Sequence, residues 1–472
     1  MITNVEKKSL IAHLMRRAGF GCNFDQIEEL SLLDYDDIVD QLLNPDFSLP
    51  EDQDLLERYF IASVEARTAR HADPQWTWRL AKSKKQLEEK ISLFWHGLLA
   101  VGGIKLDHGL AMLEEIDLFR KYGLDKFKTL LLKISQDPGM MYWLDNQNSH
   151  KGAPNENYGR ELLELFSMGI DENGDGAYSE NDVKSAAKAF TGWASKPTPP
   201  PFFLGPFPME FNFDENDHDN SEKEFLGEKG NFNGEDIVEI IVKTEACAKF
   251  ISRHLYNFFV ADEPQIPAWS IEPPKDQEAM KILVSTFMES DADMKEVMRA
   301  MFKSDFFKNS MFKRVKCPAE FIAGALKLTS EVGPKDERLA GLHGLSTVMG
   351  QTLLDPPTVE GWHTGKEWID GGSLTERINY AVGLISDMNN SGSKYLVDSL
   401  VNSDNELSSE QLVNEVLKNA GYLEVSEQTF DQLLEIASKG PAVGKNNDNE
   451  DVRNKVVQLY TLLVSSPEFQ LA

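Results

Sequence analysis

Cysteine is scarce in this sequence, which holds three, Cys22, Cys247 and Cys317, among 472 residues. An odd and sparse set of this kind argues against a scaffold stapled by disulfides. No CxxC pair and no Cys/His cluster occurs, so we do not expect a structural zinc site. A redox or zinc enzyme would lack its ligands here.

Long apolar runs and an excess of positive charge are also missing. No run of about 18 apolar residues exists, so no membrane-spanning helix is predicted. The formal charge is −29, from 48 basic and 77 acidic residues. Nucleic acids and anionic membranes are bound through basic surfaces, so the charge argues against both as partners. The same acidity favours solubility, cations or a saline environment.

The N-terminus lacks the apolar segment of a secretory signal peptide. We therefore expect a cytoplasmic location for the chain as written, and an exported one if a signal was removed. Walker, GxSxG and HExxH motifs are absent, and no internal repeat is visible. Hydrophobic residues make up 41% of the chain, enough for a large buried core.

Helical periodicity dominates what is present. The predicted fold is mainly α, a large multi-helix single domain over residues 5–472 with one EF-hand-like loop. Residues 440–450, GPAVGKNNDNE, are expected to form a mobile loop because they combine glycine, proline and polar residues.

A β-hairpin excursion is predicted at residues 194–232. The prolines of residues 194–208 exclude a helix or a central strand. Alternating residues at 209–213 and 223–226 predict two short strands joined by an acidic tip.

The most distinctive stretch is an acidic loop at residues 171–182, between two predicted helices. Its oxygen-bearing side chains and its glycine have the spacing of a calcium-binding loop. The predicted Ca²⁺ ligands are Asp171, Asn173, Asp175, the Ala177 carbonyl, Ser179 and Asp182. Loop position 12 is Asp rather than Glu, so we expect weakened binding. Ser179 and Asp182 also match a capping box, so an ordinary helix start is the alternative.

The helix before this loop carries a dense polar cluster: Asn155, Glu156, Asn157, Tyr158, Arg160, Glu161 and Glu164. Glu156, Arg160 and Glu164 share one face at i, i+4 and i+8 spacing. A solvated face with salt bridges fits this pattern, and so does a binding or catalytic site.

Two aromatic segments are further candidates. Trp362 lies in an unusual loop, residues 353–370, with two prolines and two glycines. Tryptophan in such a loop often binds sugar rings, although it also pins loops onto a core. Trp95 and His96 lie in an apolar run, where a buried histidine bonded to a carbonyl is the alternative to chemistry.

Trp193 and His218 flank the proline-rich stretch. His218 stands between Asp217 and Asp219, and this trio suggests a second metal site. Neighbouring residues on a strand point to opposite faces, so at most two of the three side chains could share one ion.

Several segments together resemble a known family. They are residues 13–21 (HLMRRAGFG), 94–96 (FWH), 155–166 (NENYGRELLELF), 178–183 (YSENDV), 189–193 (AFTGW), 218–219 (HD), 316–320 (KCPAE) and 356–362 (PPTVEGW). In this order, over nearly the whole chain, they are similar to the bacterial family catalogued as domain of unknown function 1800. The resemblance implies a large, mainly helical single domain and no agreed reaction.

The resemblance also implies a partner. Many relatives carry export signals and lie beside genes for a sulfatase-like family. The family's motif residues coincide with the polar clusters above, which implies that these clusters share one pocket. The acidic loop departs from the family, in which we expect a shorter glycine turn.

Two functions fit these observations. The first is a non-redox hydrolase or lyase acting on a polar, sugar-like or anionic substrate, such as a glycan. Glu161 or Glu164 would be the general acid or base, and Arg160 would hold an anionic group. His96 or His218 would move protons.

In this first function Trp95, Trp193 and Trp362 would form the binding platform. The second function is a non-enzymatic, calcium-stabilised binding or assembly protein, in which residues 155–161 form a buried network. A shared cleft would favour the first function, and full internal pairing would favour the second.

Overall fold

A computed structural model describes residues 4–45, 69–170, 177–198, 208–329, 338–445 and 447–472. Over these residues the chain is built from α-helices and three two-stranded antiparallel sheets, which confirms the predicted mainly α fold. None of the described helices is long and apolar enough to cross a membrane.

The helices are numbered in chain order. Those of the first part of the chain are α1 (Asn4–Arg17), α2 (Phe24–Leu30), α3 (Tyr35–Leu43), α4 (Ala69–Lys82), α5 (Gln86–Leu98), α6 (Gly103–Leu106), α7 (Gly109–Tyr122), α8 (Phe127–Ser135), α9 (Pro138–Trp143), α10 (Glu156–Glu164) and α11 (Glu180–Ala189). Those of the second part are α12 (Gly234–Val242), α13 (Glu245–Phe259), α14 (Gln277–Glu289), α15 (Met294–Lys303), α16 (Asp305–Lys308), α17 (Pro318–Thr329), α18 (Arg338–Val348), α19 (Gly371–Ser386), α20 (Ser391–Val401), α21 (Ser409–Asn419), α22 (Glu427–Ser438), α23 (Glu450–Ser465) and α24 (Pro467–Gln470).

Helix starts coincide with capping residues in the sequence. The Asn233 side chain accepts hydrogen bonds from the backbone of Glu235 and Asp236, and the Asp236 side chain accepts one from Asn233 N. Such boxes satisfy backbone donors that have no partner inside the helix. They place the helix ends where local sequence indicates them.

The strands lie where alternation predicts them but pair differently. β1 (Trp193–Pro197) pairs with β2 (Met209–Phe213), and β3 (Lys223–Phe225) pairs with β4 (Glu228–Gly230). The predicted pairing of residues 209–213 with 223–226 is therefore wrong. Leu226 and Gly227 have φ of 48° and 84°, the positive values of a tight hairpin turn, so β3 turns directly back into β4.

One strand of the third sheet lies in the segment expected to be a mobile loop. β5 (Glu406–Leu407) pairs with β6 (Val443–Gly444), which falls inside residues 440–450. The mobility of that segment stays a prediction.

Two hydrophobic cores meet at α17. The N-terminal core takes Ala319 and Ala323 from one face of this helix. The C-terminal core, formed mainly by α19–α23, takes Phe321 and Ala325 from the opposite face. Residues four apart lie on the same side of a helix, so α17 is a wall common to both cores.

Candidate functional site

The predicted calcium loop is described only in part. Three of its predicted ligands lie outside the described residues: Asp171, Asn173 and Asp175. Ala177 is exposed, and Ser179 caps α11. Asp182 Oδ2 accepts from Ser179 N (2.7 Å) and Oγ (2.6 Å), and Oδ1 accepts from Leu226 N (2.7 Å). Oδ2 of Asp182 completes the capping box and Oδ1 holds the turn at Leu226, so the capping alternative is present. The calcium site stays a prediction.

The rest of the described chain adds no second candidate of this kind. No group of three or more His, Cys, Asp or Glu side chains in it is arranged to hold a metal ion.

Asn155 and Asn157 fasten α10 to the turn before it, and the Tyr158 hydroxyl donates to Ser135 Oγ of α8. Asn155 Oδ1 caps the helix by accepting from Asn157 N (3.0 Å), and its Nδ2 donates to Asp145 O (3.1 Å). Asn157 Nδ2 donates to Leu144 O (3.0 Å). Tyr158 is buried. The side chains of Asn155 and Asn157 therefore form hydrogen bonds with backbone groups of the protein itself.

Arg160 reaches from α10 to α11. Its Nη1 and Nη2 donate to the two carboxylate oxygens of Glu180, at 2.6 and 2.9 Å, and Nη2 lies 3.4 Å from Glu156 Oε2. The hydrogen bond to Glu180 raises the pKa of Arg160 above its ordinary value. In this arrangement the guanidinium is engaged by two carboxylates of the protein.

Glu161 and Glu164 are half-buried on the same helix. Burial raises the pKa of Glu161, the Glu164 carboxylate adds to this, Arg160 opposes it, and Glu360 adds a further repulsion. Glu161 therefore lies within electrostatic reach of Glu360, which belongs to the Trp362 loop. A carboxyl group of raised pKa is suited to donate a proton.

His218, Trp193 and Trp95 lie in the interior. His218 is 4% exposed, and its Nδ1 lies 2.9 Å from Thr191 O. Trp193 packs edge-on against Phe190, and Trp95 donates from Nε1 to Gly123 O (3.0 Å). These side chains have the burial and bonding of core residues.

His96 forms an unusual buried pair with Glu115 of α7. His96 Nδ1 lies 3.8 Å from Glu115 Oε1, and both side chains are almost fully enclosed. Neither ring nitrogen and neither carboxyl oxygen has a hydrogen-bond partner among the described residues. Burial lowers the pKa of His96 to about 3 and raises that of Glu115 well above its ordinary value. Both groups are therefore held in their neutral forms.

The Trp362 cleft is the opening beside this pair. It encloses about 690 Å³ including its open mouth. Its aromatic walls include Phe258, Trp362 and Trp368, and its polar groups include His254, Asp262 and Glu360. The Trp362 ring packs edge-on against His96, with ring centroids 5.3 Å apart.

The close contact between the backbones of Gly361 and Gly97 sets the position of Trp362. Gly361 has φ of 80°, and a Cβ built on it would lie 2.0 Å from Gly97 O at the end of α5. Only glycine allows this conformation and this contact together. The neighbouring hydrogen bond from Gly103 N to Leu354 O (2.9 Å) ties the same loop to α6.

Two polar atoms at the cleft lack partners. Trp362 Nε1 and His254 Nε2 are buried and make no hydrogen bond within the described part of the chain, and each residue is 8% exposed. Asp262 is partly satisfied, because its Oδ2 accepts from Val315 N (2.9 Å). Buried polar atoms are normally paired, so these atoms indicate room for another molecule.

A family model described as a protein of unknown function, DUF1800, matches residues 13–471. The chain belongs to the DUF1800 family. No curated protein and no solved structure matches it.

The motif segments of this DUF1800 protein meet at more than one place. Three of the segments reach the Trp362 cleft, through Phe94, through Cys317, and through Glu360 and Trp362. Arg16, Lys316 and Glu320 line a second cavity. Residues 155–166 build the contact between α10, α11 and the turn at 144–149 instead.

Sequence reasoning missed three cleft residues of the DUF1800 chain: His254, Asn257 and Asp262. They lie on α13 or directly after it, about a hundred residues before Trp362. His254 stands out in the sequence because it follows Arg253 within an aromatic segment. Asp262 carries no comparable local pattern.

Proposed function

We propose that this protein binds a polar, ring-shaped molecule of the sugar class in the Trp362 cleft and cleaves it as a non-redox hydrolase or lyase. The observation that carries the proposal is the combination of aromatic walls with the unpartnered Trp362 Nε1 and His254 Nε2. Aromatic faces pack on the apolar faces of sugar rings, and buried polar atoms fix hydroxyl groups.

Asp262 and Glu360 are the acid–base pair of this proposal. Burial raises the pKa of Asp262, against the hydrogen bond from Val315 and nearby cations, which favours a protonated acid. Glu360 is exposed at the cleft and supplies a second carboxylate. The Glu360 carboxylate contributes to the raised pKa of Glu161. Catalytic roles for Arg160, Glu161, Glu164, His96 and His218 stay predictions, because none of these lines the cleft.

A matched pair of variants tests ligand binding. Trp362→Phe and Trp143→Phe each remove an indole N–H that is buried without a partner, and only the first lies in the cleft. We expect saccharides of a panel containing glucose, N-acetylglucosamine and galacturonate to raise the melting temperature of the wild type. Trp362→Phe should raise the Kd at least tenfold, and Trp143→Phe should leave it unchanged.

Turnover separates an enzyme from a binding protein. Asp262→Asn keeps an oxygen for Val315 N but cannot donate a carboxyl proton. With p-nitrophenyl glycosides or oligosaccharides, we expect it to lose turnover while still binding. Absence of saccharide binding to the wild type would overturn the proposal.

The second function, a calcium-stabilised binding or assembly protein, is favoured by the internal pairing of Asn155, Asn157 and Arg160. Saccharide binding without turnover would select it. The sulfatase-like partner implied by the family resemblance is part of this proposal.

Calcium binding is tested directly. Chelator-treated protein titrated with CaCl₂ in a calorimeter should release heat, and Asp171→Ala should lose that heat. No heat in the wild type would exclude the calcium loop.

A further inference from the structure

Buried cations gather around the start of α17 in an otherwise acidic protein. Arg17, Lys90 and Arg377 are each 0% exposed, and Arg314 is 4% exposed. Three more cations, Arg16, Lys316 and Lys327, are half-buried beside them. With a formal charge of −29 over the whole chain, such a concentration of positive charge is unexpected.

Few carboxylates balance this group. Glu320 is 3% exposed and binds both Lys90 and Arg314, and its Oε2 accepts from Cys317 N (2.9 Å). Although burial opposes it, the two cations lower the pKa of Glu320. Asp262 acts on Arg314 and Arg17. Glu424 acts on Arg16. The seven cations outnumber these three carboxylates, and both oxygens of Glu320 already accept hydrogen bonds.

Several guanidinium groups in this cluster also lack hydrogen-bond acceptors. Arg16 Nε, Arg17 Nε and Nη1, Arg314 Nε and Arg377 Nη1 are buried without a partner among the described residues. A buried donor without an acceptor is destabilising, and more so when it carries charge. The cluster therefore offers both net charge and unused donors.

A cavity opens onto the half-buried members. We call it the cationic pocket; it encloses about 670 Å³ including its mouth and is lined by Arg16, Lys316 and Lys327. Glu320 also lines it, with its carboxylate already bound by Lys90 and Arg314. Lys316 Nζ donates to Phe469 O (2.8 Å), and Lys327 Nζ donates to Gly21 O (3.0 Å). Each ammonium group has three N–H donors, so both retain donors for another partner.

The backbone keeps this pocket apart from the Trp362 cleft. Along residues 314–317, Arg314, Val315 and Cys317 line the cleft, whereas Lys316 lines the cationic pocket. The two cavities therefore lie on different sides of one chain segment.

We propose that the cationic pocket binds a small oxyanion group, such as a phosphate, a sulfate or the carboxylates of a small organic acid. Arginine offers a planar pair of donors to such groups, and lysine adds point charges. The unused N–H groups of Arg16, Lys316 and Lys327 would bind the anion's oxygens.

Electrostatics favours this occupant. Burial lowers the pKa of Lys316 well below its ordinary value, and Arg16 and Arg377 lower it further. Burial lowers the pKa of Lys327 to about 8. A bound anion would offset the mutual repulsion of these cations and stabilise the protonated lysines.

Titration of the full-length protein at pH 7 tests the proposal. Sodium phosphate, sodium sulfate and sodium citrate are each compared with sodium chloride at equal ionic strength, by calorimetry and melting temperature. We expect saturable 1:1 binding of at least one oxyanion and no saturable effect of chloride. The ranking of the three identifies the phosphate, sulfate or carboxylate source.

Cysteine labelling locates the site without a mutation. Cys22 lines the pocket and is half-buried, whereas Cys247 and Cys317 are buried. The oxyanion that binds should slow alkylation of Cys22 by iodoacetamide at least fivefold. Binding that leaves the Cys22 rate unchanged would place the anion elsewhere and overturn the proposal.

A matched lysine pair provides the second control. Lys327→Met removes a pocket ammonium, and Lys455→Met removes a buried ammonium that donates to Pro441 O (2.9 Å) elsewhere. The Kd of the anion should rise at least tenfold in Lys327→Met and stay unchanged in Lys455→Met. Equal affinities in both variants, or no oxyanion binding by the wild type, would overturn the proposal. The test is independent of saccharide binding in the Trp362 cleft.

Discussion

Asp137 is a buried carboxyl group at the start of α9. It is 7% exposed and accepts a hydrogen bond from Met140 N (2.8 Å). Burial raises its pKa to about 7. In the unfolded chain an aspartate loses its proton near pH ~4. Between these values the folded state binds more protons, so this group makes the protein less stable as the pH rises from about 4 to about 7.

Asp137→Asn should remove this loss. Asparagine also caps helices, and it stays neutral at every pH used. The difference in unfolding free energy, variant minus wild type, should therefore grow as the pH rises. We expect it to be larger at pH 8 than at pH 4 by up to about 4 kcal/mol, since one pKa unit corresponds to ~1.4 kcal/mol. Urea unfolding at pH 4, 6 and 8 measures it.

The control for this change is Asp276→Asn. Asp276 caps α14 with a similar bond to Ala279 N (2.9 Å) but is half-buried. Two results would contradict the burial argument. The effect of Asp137→Asn on the free energy of unfolding would be the same at every pH, or it would change with pH as little as that of Asp276→Asn.

Gly361 is the residue on which the Trp362 cleft depends. In Gly361→Ala the new Cβ would collide with Gly97 O, and φ of 80° would be strained. We expect a loss of several kcal/mol of stability, on the scale of about 3 kcal/mol, with a shift in the Trp362 fluorescence. Gly383→Ala, at an exposed position of α19 with nothing within 4 Å of the Cβ, should be stabilising by roughly 0.5–1 kcal/mol. Equal stabilities of the two variants would disprove the role given to Gly361.

At this scale the sequence identified side chains but not their neighbours. Trp362 and His96 stand out by composition, and the structure places Trp362 in the cleft wall with His96 packed behind it. Glu115 and Asp262 reach the same region only through folding, from α7 and from the end of α13. Local sequence patterns do not predict that residues so far apart in the chain lie close together in the fold.

At the scale of elements, the start of α10 offers a test of its anchoring role. Asn155→Asp keeps the oxygen that caps the helix, removes the Nδ2 donor to Asp145 O, and brings a carboxylate against that carbonyl. We expect a loss of about 1–3 kcal/mol, measured by urea unfolding.

Asn233→Asp is the matched change at the start of α12. Asn233 Oδ1 accepts from Glu235 N and Asp236 N, so the cap survives the substitution. This variant should be within ~0.5 kcal/mol of wild type, because Asp and Asn cap about equally well. If Asn155→Asp changes the free energy of unfolding as little as Asn233→Asp does, other contacts must hold the turn at 144–149.

Helix positions were predictable because their causes are local. Capping boxes and apolar spacing fix α11, α12 and α13 within a few residues. Strand pairing was not predictable in the same way. The partner of β2 is β1, which precedes it in the chain on the other side of a proline-rich stretch. The Leu226–Gly227 turn was also missed, because leucine is rare at a positive φ.

For the whole molecule, net charge predicts a response to salt. A chain of formal charge −29 repels itself, and salt shortens the range of that repulsion from ~30 Å at 0.01 M to ~8 Å at 0.15 M. We expect the melting temperature to rise as KCl increases over this range at pH 7. A constant or falling melting temperature would mean that local ion pairs such as Arg160–Glu180 outweigh the general repulsion.

Because α17 gives one face to each core, neither half can lose its packing without exposing apolar surface of the other. The two halves should therefore melt cooperatively, in one calorimetric transition whose van't Hoff and calorimetric enthalpies agree. Substitutions as far apart as α5 and α23 would then shift the same transition.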